Sequence, residues 1–159
     1  MEKQFVGFKV ANNSYCFDID FVKEVVRVSQ ITWMPHASGF VKGIINLRGV
    51  IIPVISLKKK LELESDEMNL EEYKLIILNI NNLLIGLIVD DFMYVFSVEA
   101  NKIQKVDMSG DVKISKDLID GVIRLEENVF LILNIKNLLD TEEKRFIDKE
   151  IVESEKVIS

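Results

Sequence analysis

Sliding the chain on itself until Gly43 meets Gly121 lays Gly43-Ile44-Ile45-Asn46-Leu47 over Gly121-Val122-Ile123-Arg124-Leu125. The match runs on, with Ile51 on Val129, Leu57 on Ile135 and Leu61 on Leu139, so each copy reads as two strands leading into a short Leu-rich helical turn. A slightly different offset upstream carries Asp20 onto Asp90, Val25 onto Val95 and Val28 onto Val98. The chain therefore reads as one unit made twice. Each unit would hold about five strands in roughly 70 residues, too few to bury much apolar surface alone. Two barrels packed side by side on a shared core, and not separable, follow from that size.

Within each unit, short runs rich in Val, Ile, Leu and Phe are broken by Asn, Gly, Ser and Asp, the pattern of strands joined by tight turns. Phe5 to Ala11 and Tyr15 to Ile19 flank Asn12 and Asn13, which tolerate the positive φ of a hairpin turn. Tyr73 to Ile80 and Leu83 to Val89 flank Asn81 and Asn82 in the same way. The predicted class is all-β, with a first lobe over about residues 12–70 and a second over about 71–140 joined by the N-terminal strand. Between the lobes, the acidic stretch from Glu62 to Glu72 reads as a solvated connection. From Thr141 the strand signals stop. Glu142 with Arg145, and Ile147 with Ile151, have helical spacing, which predicts an amphipathic helix and tail over 141–159, its apolar face set on the protein's own barrels or on a partner.

Composition narrows the function. With 159 residues, 48% hydrophobic and 29% charged, the chain is an ordinary globular protein, and its formal charge of −6 lacks the general attraction to phosphate that nucleic-acid binding requires. The longest apolar run, Leu83 to Val89, is far shorter than the roughly 20 residues of a membrane-spanning helix. Met1 to Val10 is not a targeting segment, and a cytoplasmic location is expected. The single cysteine, Cys16, sits between Tyr15 and Phe17, where a buried reduced thiol is the plain expectation.

No enzyme constellation is present. There is no glycine-rich phosphate loop, no Cys/His cluster at metal spacing and no nucleophile set, so neither catalysis, cofactor nor metal is expected. His36, the one histidine, lies in a Pro- and Gly-marked loop and takes no role. Trp33 reads as a lid over a barrel end, and Asp90 as the end of a strand. The rival expectation from another class is a small-molecule-binding barrel, which would require a buried cavity.

Positions shared by both copies serve the fold, whereas departures mark work that one copy performs alone. Asn46-Leu47-Arg48-Gly49 faces Arg124-Leu125-Glu126-Glu127, Pro53 faces Leu131, and Glu24 faces Tyr94. A proline inside a strand predicts an edge position. Arg48 is either a solvated turn residue or the ion-pair partner of Glu24 that orders a groove.

Glu24 followed by Val25 and Val26, then Pro35, the run Gly43-Ile44-Ile45-Asn46-Leu47-Arg48-Gly49-Val50-Ile51-Ile52-Pro53-Val54-Ile55, and Gly86-Leu87-Ile88-Val89-Asp90 resemble the CheW family over about residues 4 to 140. The resemblance implies two SH3-like five-stranded barrels, no catalysis and an adaptor that couples chemoreceptors to a histidine kinase. The implied partners are the regulatory domain of a CheA-type kinase and the cytoplasmic tip of methyl-accepting chemoreceptors, in arrays at the inner face of the membrane. On the matching positions, Glu24, Val26, Gly43, Asn46, Arg48 and Gly49 would form or support the receptor-facing groove, with Arg48 as its anchor. The kinase surface is not placed. Ser56 and Ser38 depart from the family pattern, where an aspartate and a second proline are common. A regulator that binds a receptor but no kinase would share all these motifs.

Overall fold

Both predicted hairpins form, on pairs of residues with left-handed backbone: Ala11 (φ 49°) with Asn12 (φ 69°), and Asn81 (φ 52°) with Asn82 (φ 70°). Two-residue turns of this hand match the twist of the strands they join. In the computed structural model, which describes residues 1–34, 41–60, 70–105 and 118–138, the first turn falls one residue earlier than the Asn12–Asn13 pair expected. Asn13 already pairs with Val10 across the hairpin, so Ala11 takes the left-handed position.

The strands are β1 (Glu2–Val10), β2 (Asn13–Asp18), β3 (Val22–Val28), β4 (Thr32–Trp33), β5 (Val41–Leu47), β6 (Val50–Ser56), β7 (Tyr73–Ile80), β8 (Leu83–Val89), β9 (Asp91–Glu99), β10 (Ile119–Leu125) and β11 (Asn128–Leu133). The short helix α1 (Leu57–Lys60) follows β6, and a 3-10 turn at Ile135–Asn137 follows β11. These are the two helical turns that the repeat predicts. One sheet has the order β10-β11-β2-β1-β9 and the other β3-β7-β8-β6-β5-β4. The protein is thus all-β, with two SH3-like barrels.

Lobe membership differs from the expected boundaries. The β1–β2 hairpin lies in one sheet with β9, β10 and β11, here the terminal lobe. The β7–β8 hairpin lies with β3 to β6, here the central lobe. Each repeat therefore lends its leading hairpin to the other: β3 pairs antiparallel with β7, and β9 with β1. The parallel pairings match as well, with Val54 opposite Gly86 in one lobe and Ile132 opposite Cys16 in the other. A cut between residues 70 and 71 would separate strands that share a sheet.

The largest core cluster joins the lobes. Phe8, Val10, Tyr15 and Phe17 of the terminal lobe meet Ile55, Ile76, Leu78, Ile85 and Leu87 of the central lobe in one buried group. Two smaller clusters fill the individual barrels, one around Ile45, Ile52, Val54 and Leu75, the other around Phe5, Cys16, Ile123 and Phe130. This is the shared core that the size of each unit demands.

The repeated glycines have a common physical cause. A Cβ on Gly43 would lie 2.2 Å from the Thr32 carbonyl oxygen, and one on Gly121 would lie 2.7 Å from that of Gln104. In both lobes the segment ahead of the strand crosses it, as β4 on β5 and as a single bridge from Gln104 to Val122. Pro53 does not mark an edge, because β6 lies between β8 and β5. Pairs alternate along an antiparallel ladder from the Leu47–Val50 pair that closes the turn, so the nitrogen of Pro53 faces away from β5. On the β8 side, pairing begins only at Val54. The proline thus needs no donor on either side.

The loop with Pro35, His36 and Ser38, residues 62–69 of the acidic connection, the Leu61–Leu139 match and the predicted helix from Thr141 lie outside the described residues. Among the described residues, no helix is long and apolar enough to cross a membrane.

Candidate functional site

The β5–β6 turn is built by its own sequence. Arg48 (φ 51°) and Gly49 (φ 87°) both take the left-handed backbone of a two-residue hairpin. Asn46 Oδ1 accepts a hydrogen bond from the Gly49 amide at 2.9 Å, which fixes the turn. The left-handed conformation costs a non-glycine residue about 1–2 kcal/mol. Arg48 occupies it where glycine or asparagine would fit with less strain.

On β3 the side chains alternate. Val22, Glu24, Val26 and Val28 are half-buried, while Lys23, Val25 and Arg27 are exposed. Arg48 donates from Nη2 to Glu24 Oε1, with 66% of the arginine side chain and 27% of the glutamate side chain exposed. β3 ends one side of its sheet and the β5–β6 hairpin lies toward the other, so this ion pair closes the seam of the central barrel. Val26 and Leu47 pack beneath it on the same apolar cluster. So exposed a pair contributes only about 0–1 kcal/mol to stability.

The terminal lobe closes its seam at the repeat-related place with different chemistry. Tyr94, which the repeat sets opposite Glu24, accepts from Asn128 Nδ2 at 3.2 Å, and Asn128 follows the β10–β11 turn as Val50 follows the β5–β6 turn. The Tyr94 ring stands edge-on to Phe96 and Phe130, with 6.0 Å between centroids in each case. An ionised seam thus belongs to the central lobe, a neutral one to the terminal lobe.

The sequence-derived candidates therefore divide. Glu24 with Arg48, and Asn46 with Gly49, come together, and Val26 supports them from below. Gly43 does not join them. It lies four strand positions back from Leu47, roughly 13 Å along β5, where its missing side chain admits Thr32.

Sequence reasoning overlooked the contacts between the lobes. Asp90, placed as expected just past the end of β8, accepts from the Ala11 amide through Oδ2 at 2.6 Å and pairs with Lys58 through Oδ1 at 2.9 Å. Its amide also donates to the Lys9 carbonyl at 2.9 Å. Beside it, Lys74 Nζ lies 3.2 Å from Asp91 Oδ1, a hydrogen bond that holds the Asp91 carboxyl below its usual range. Arg27 stands over the Phe92 ring at 5.9 Å. Asp90 carried one sequence signal, its match with Asp20, but nothing in that match names its partners.

Cys16 is fully buried, and burial pushes its thiol up to about 12, far from a reactive thiolate. Among the described residues, no three His, Cys, Asp or Glu side chains are grouped to hold a metal. Trp33 is half-buried, edge-on to Tyr73 at 5.8 Å, as a lid on the central barrel. What the seam offers is an exposed guanidinium paired with Glu24 on a two-residue turn, beside the half-buried Val26 and Leu47.

A family model described as a CheW-like domain matches residues 4–143. The chain is 30% identical over 146 residues to the chemotaxis protein CheW of Klebsiella aerogenes, covering 92% of this chain and 87% of that one. It is 32% identical over 145 residues to the chemotaxis protein CheW of Treponema pallidum, covering 88% of this chain and 84% of that one. The crystal structure of the scaffolding protein TtCheW from Thermoanaerobacter tengcongensis superimposes with a TM-score of 0.78 at 32% identity, covering 90% of this chain and 96% of that one.

Proposed function

This chain belongs to the CheW-like domain family as a chemotaxis scaffolding adaptor, and we propose that it couples the cytoplasmic tips of chemoreceptors to a CheA-type kinase without catalysing a reaction. The observation that carries this reading is the seam of the central barrel. Both copies hold a non-glycine residue in the left-handed backbone of this turn, Arg48 at φ 51° and Glu126 at φ 55°, but only Arg48 is paired across the seam, with Glu24, a charge pair for which the described residues of the other copy show no counterpart. A barrel that closes with a neutral Tyr94–Asn128 bond at the related place does not need an ion pair there for stability, so the pair serves recognition.

Receptor helices lay an apolar face along the seam. Val26 and Leu47 supply the floor beneath it, and Arg48, Glu24 and Asn46 the polar rim. Gly49 leaves the turn open, with nothing within 4 Å of where its Cβ would stand. The kinase takes a different surface. Two repeat-related valines, Val25 on β3 and Val95 on β9, are 46% and 55% exposed. One outward-facing strand per lobe suits a protein that joins two neighbours in an array at the inner face of the membrane.

A pull-down tests this, with purified protein against the kinase and, separately, against a receptor cytoplasmic fragment. Wild type binds both. Arg48→Ala loses the receptor by about tenfold or more, keeps the kinase and keeps its melting temperature. Loss of both partners together with the fold would make Arg48 structural, and binding to neither by wild type would end the coupling reading.

A further inference from the structure

Every second residue of a strand shares a face, so Val50, Ile52 and Val54 of β6 point the same way. Ile52 and Val54 fill the central barrel, 1% and 0% exposed, while Val50 is 44% exposed. Its partner across the ladder is Leu47, which packs half-buried on the same cluster. The apolar interior of the central barrel therefore runs out past its own end, through Leu47 to a valine in water.

The terminal lobe finishes the same face differently. The repeat sets Asn128, Phe130 and Ile132 of β11 at the positions of Val50, Ile52 and Val54. Phe130 and Ile132 are buried as their counterparts are. The outermost position is polar, and Asn128 Nδ2 donates to the Tyr94 hydroxyl at 3.2 Å within the lobe. One copy thus ends its interior face on an internal hydrogen bond, the other on an exposed aliphatic side chain. That side chain lies two residues from the Arg48 that pairs with Glu24, so it continues the seam.

We infer that Val50 is a specificity-determining contact of the seam, one that takes an aliphatic side chain of the receptor helix about one turn from the group that meets Arg48. This rests on the coupling reading. Two residues of chain span at most about 7 Å, and one turn of helix rises about 5.4 Å, so a single face of one helix reaches both Arg48 and Val50. The exposed guanidinium accepts any hydrogen-bond acceptor and orients the helix. Val50 and Leu47 offer no polar partner to the neighbouring turn, and a polar or charged residue buried on them would be costly. The valine therefore discriminates where the arginine only attracts.

The test is a titration of the full-length chain with a receptor cytoplasmic fragment and, separately, with the kinase. Val50→Asn copies the terminal lobe, and Val50→Thr keeps the branched shape and strand preference of valine. Both should weaken receptor binding by roughly three- to tenfold, leave kinase binding as in wild type and hold the melting temperature within about 2 °C. Because the contact is apolar, the loss should be the same at low and at high salt, whereas that of Arg48→Ala should shrink as salt rises. If wild type binds no receptor, the coupling reading falls and this inference with it. If Arg48→Ala loses the receptor while both Val50 variants keep wild-type affinity, the inference alone falls. It also falls if both variants lose receptor and kinase together with several degrees of melting temperature, which would make Val50 a residue of the fold.

Discussion

Ala11 donates its amide to the Asp90 carboxylate at 2.6 Å, so the turn of the first hairpin is held by the residue that leads from β8 into β9. Because the same carboxylate takes the Lys58 ammonium at 2.9 Å, one side chain ties the terminal hairpin to the end of the central sheet. Asp90 is 40% exposed at its side chain, so water weakens the ion pair, while the short amide bond depends on an acceptor oxygen more than on charge.

Asp90→Ala should therefore destabilise the protein by about 1–2 kcal/mol, and Asp90→Asn, which keeps an acceptor, by about half as much. Urea unfolding at neutral pH measures both. Equal losses for the two would put the ion pair, not the amide bond, in control.

Ala11 is a methyl-bearing residue at φ 49°, where the matching hairpin has Asn81. Ala11→Gly should raise stability by about 0.5–1 kcal/mol by relieving that strain. A higher midpoint in thermal melting checks it. A loss would mean that the packing of the Ala11 methyl on the shared core outweighs the backbone term.

Three glycines give three outcomes for one change. A Cβ at Gly43 or Gly121 meets a backbone oxygen at 2.2 Å or 2.7 Å, whereas at Gly86 it meets only side-chain carbons at 3.6 Å. Gly43→Ala should cost more than about 3 kcal/mol, Gly121→Ala about 1–3 kcal/mol, and Gly86→Ala less than about 1 kcal/mol. Chemical denaturation of the three variants ranks them, and a costly Gly86→Ala would contradict the geometry.

Cys16 makes stability depend on alkaline pH. Its folded thiol stands near 12, against an unfolded value near 9. Burial thus keeps the proton on, and the contribution is complete below about pH 9. It is lost as pH rises from about 9 toward 12, with a slope of up to about 1.4 kcal/mol per pH unit. Cys16→Ala should flatten that slope, and native wild type should resist a thiol reagent at neutral pH that labels it once unfolded. Rapid labelling of the folded protein would show an open thiol.

The repeat carried most of the fold. It predicted two helical turns and the asparagine pairs predicted two hairpins, and all are present; it matched Gly43 with Gly121 without foretelling that another segment crosses the strand at each. It could not say which copy β3 pairs with, since a strand that fits β7 in one unit has an equivalent in the other. The expected boundary at residues 70 and 71 put β3 and β7 in different lobes, and the fold puts them side by side in one sheet. The first turn was placed one residue late because the pattern of apolar residues tolerates a slip of two with every side chain still on its own face. Pro53 misled for a related reason: its nitrogen is unpaired on an interior strand, at the point where pairing with β8 has yet to begin. At the site, Glu24 and Arg48 were legible because each departs from its repeat partner. Asp90 was not, since its work lies between lobes, and no spacing along the chain encodes an amide partner in Ala11.

The exchange of hairpins sets an order on the protein's birth. A ribosome delivers β1 and β2 first, yet their neighbours β9 and β11 come last, whereas the central sheet has all its strands once Val89 is out. At roughly 5–20 residues per second, the opening hairpin waits several seconds with Phe8, Tyr15 and Phe17 bared to the cytosol or to a chaperone. Translation that stalls before β11 releases a finished barrel trailing an orphaned hairpin, and the last strand to emerge is the one that lets the first to emerge come to rest.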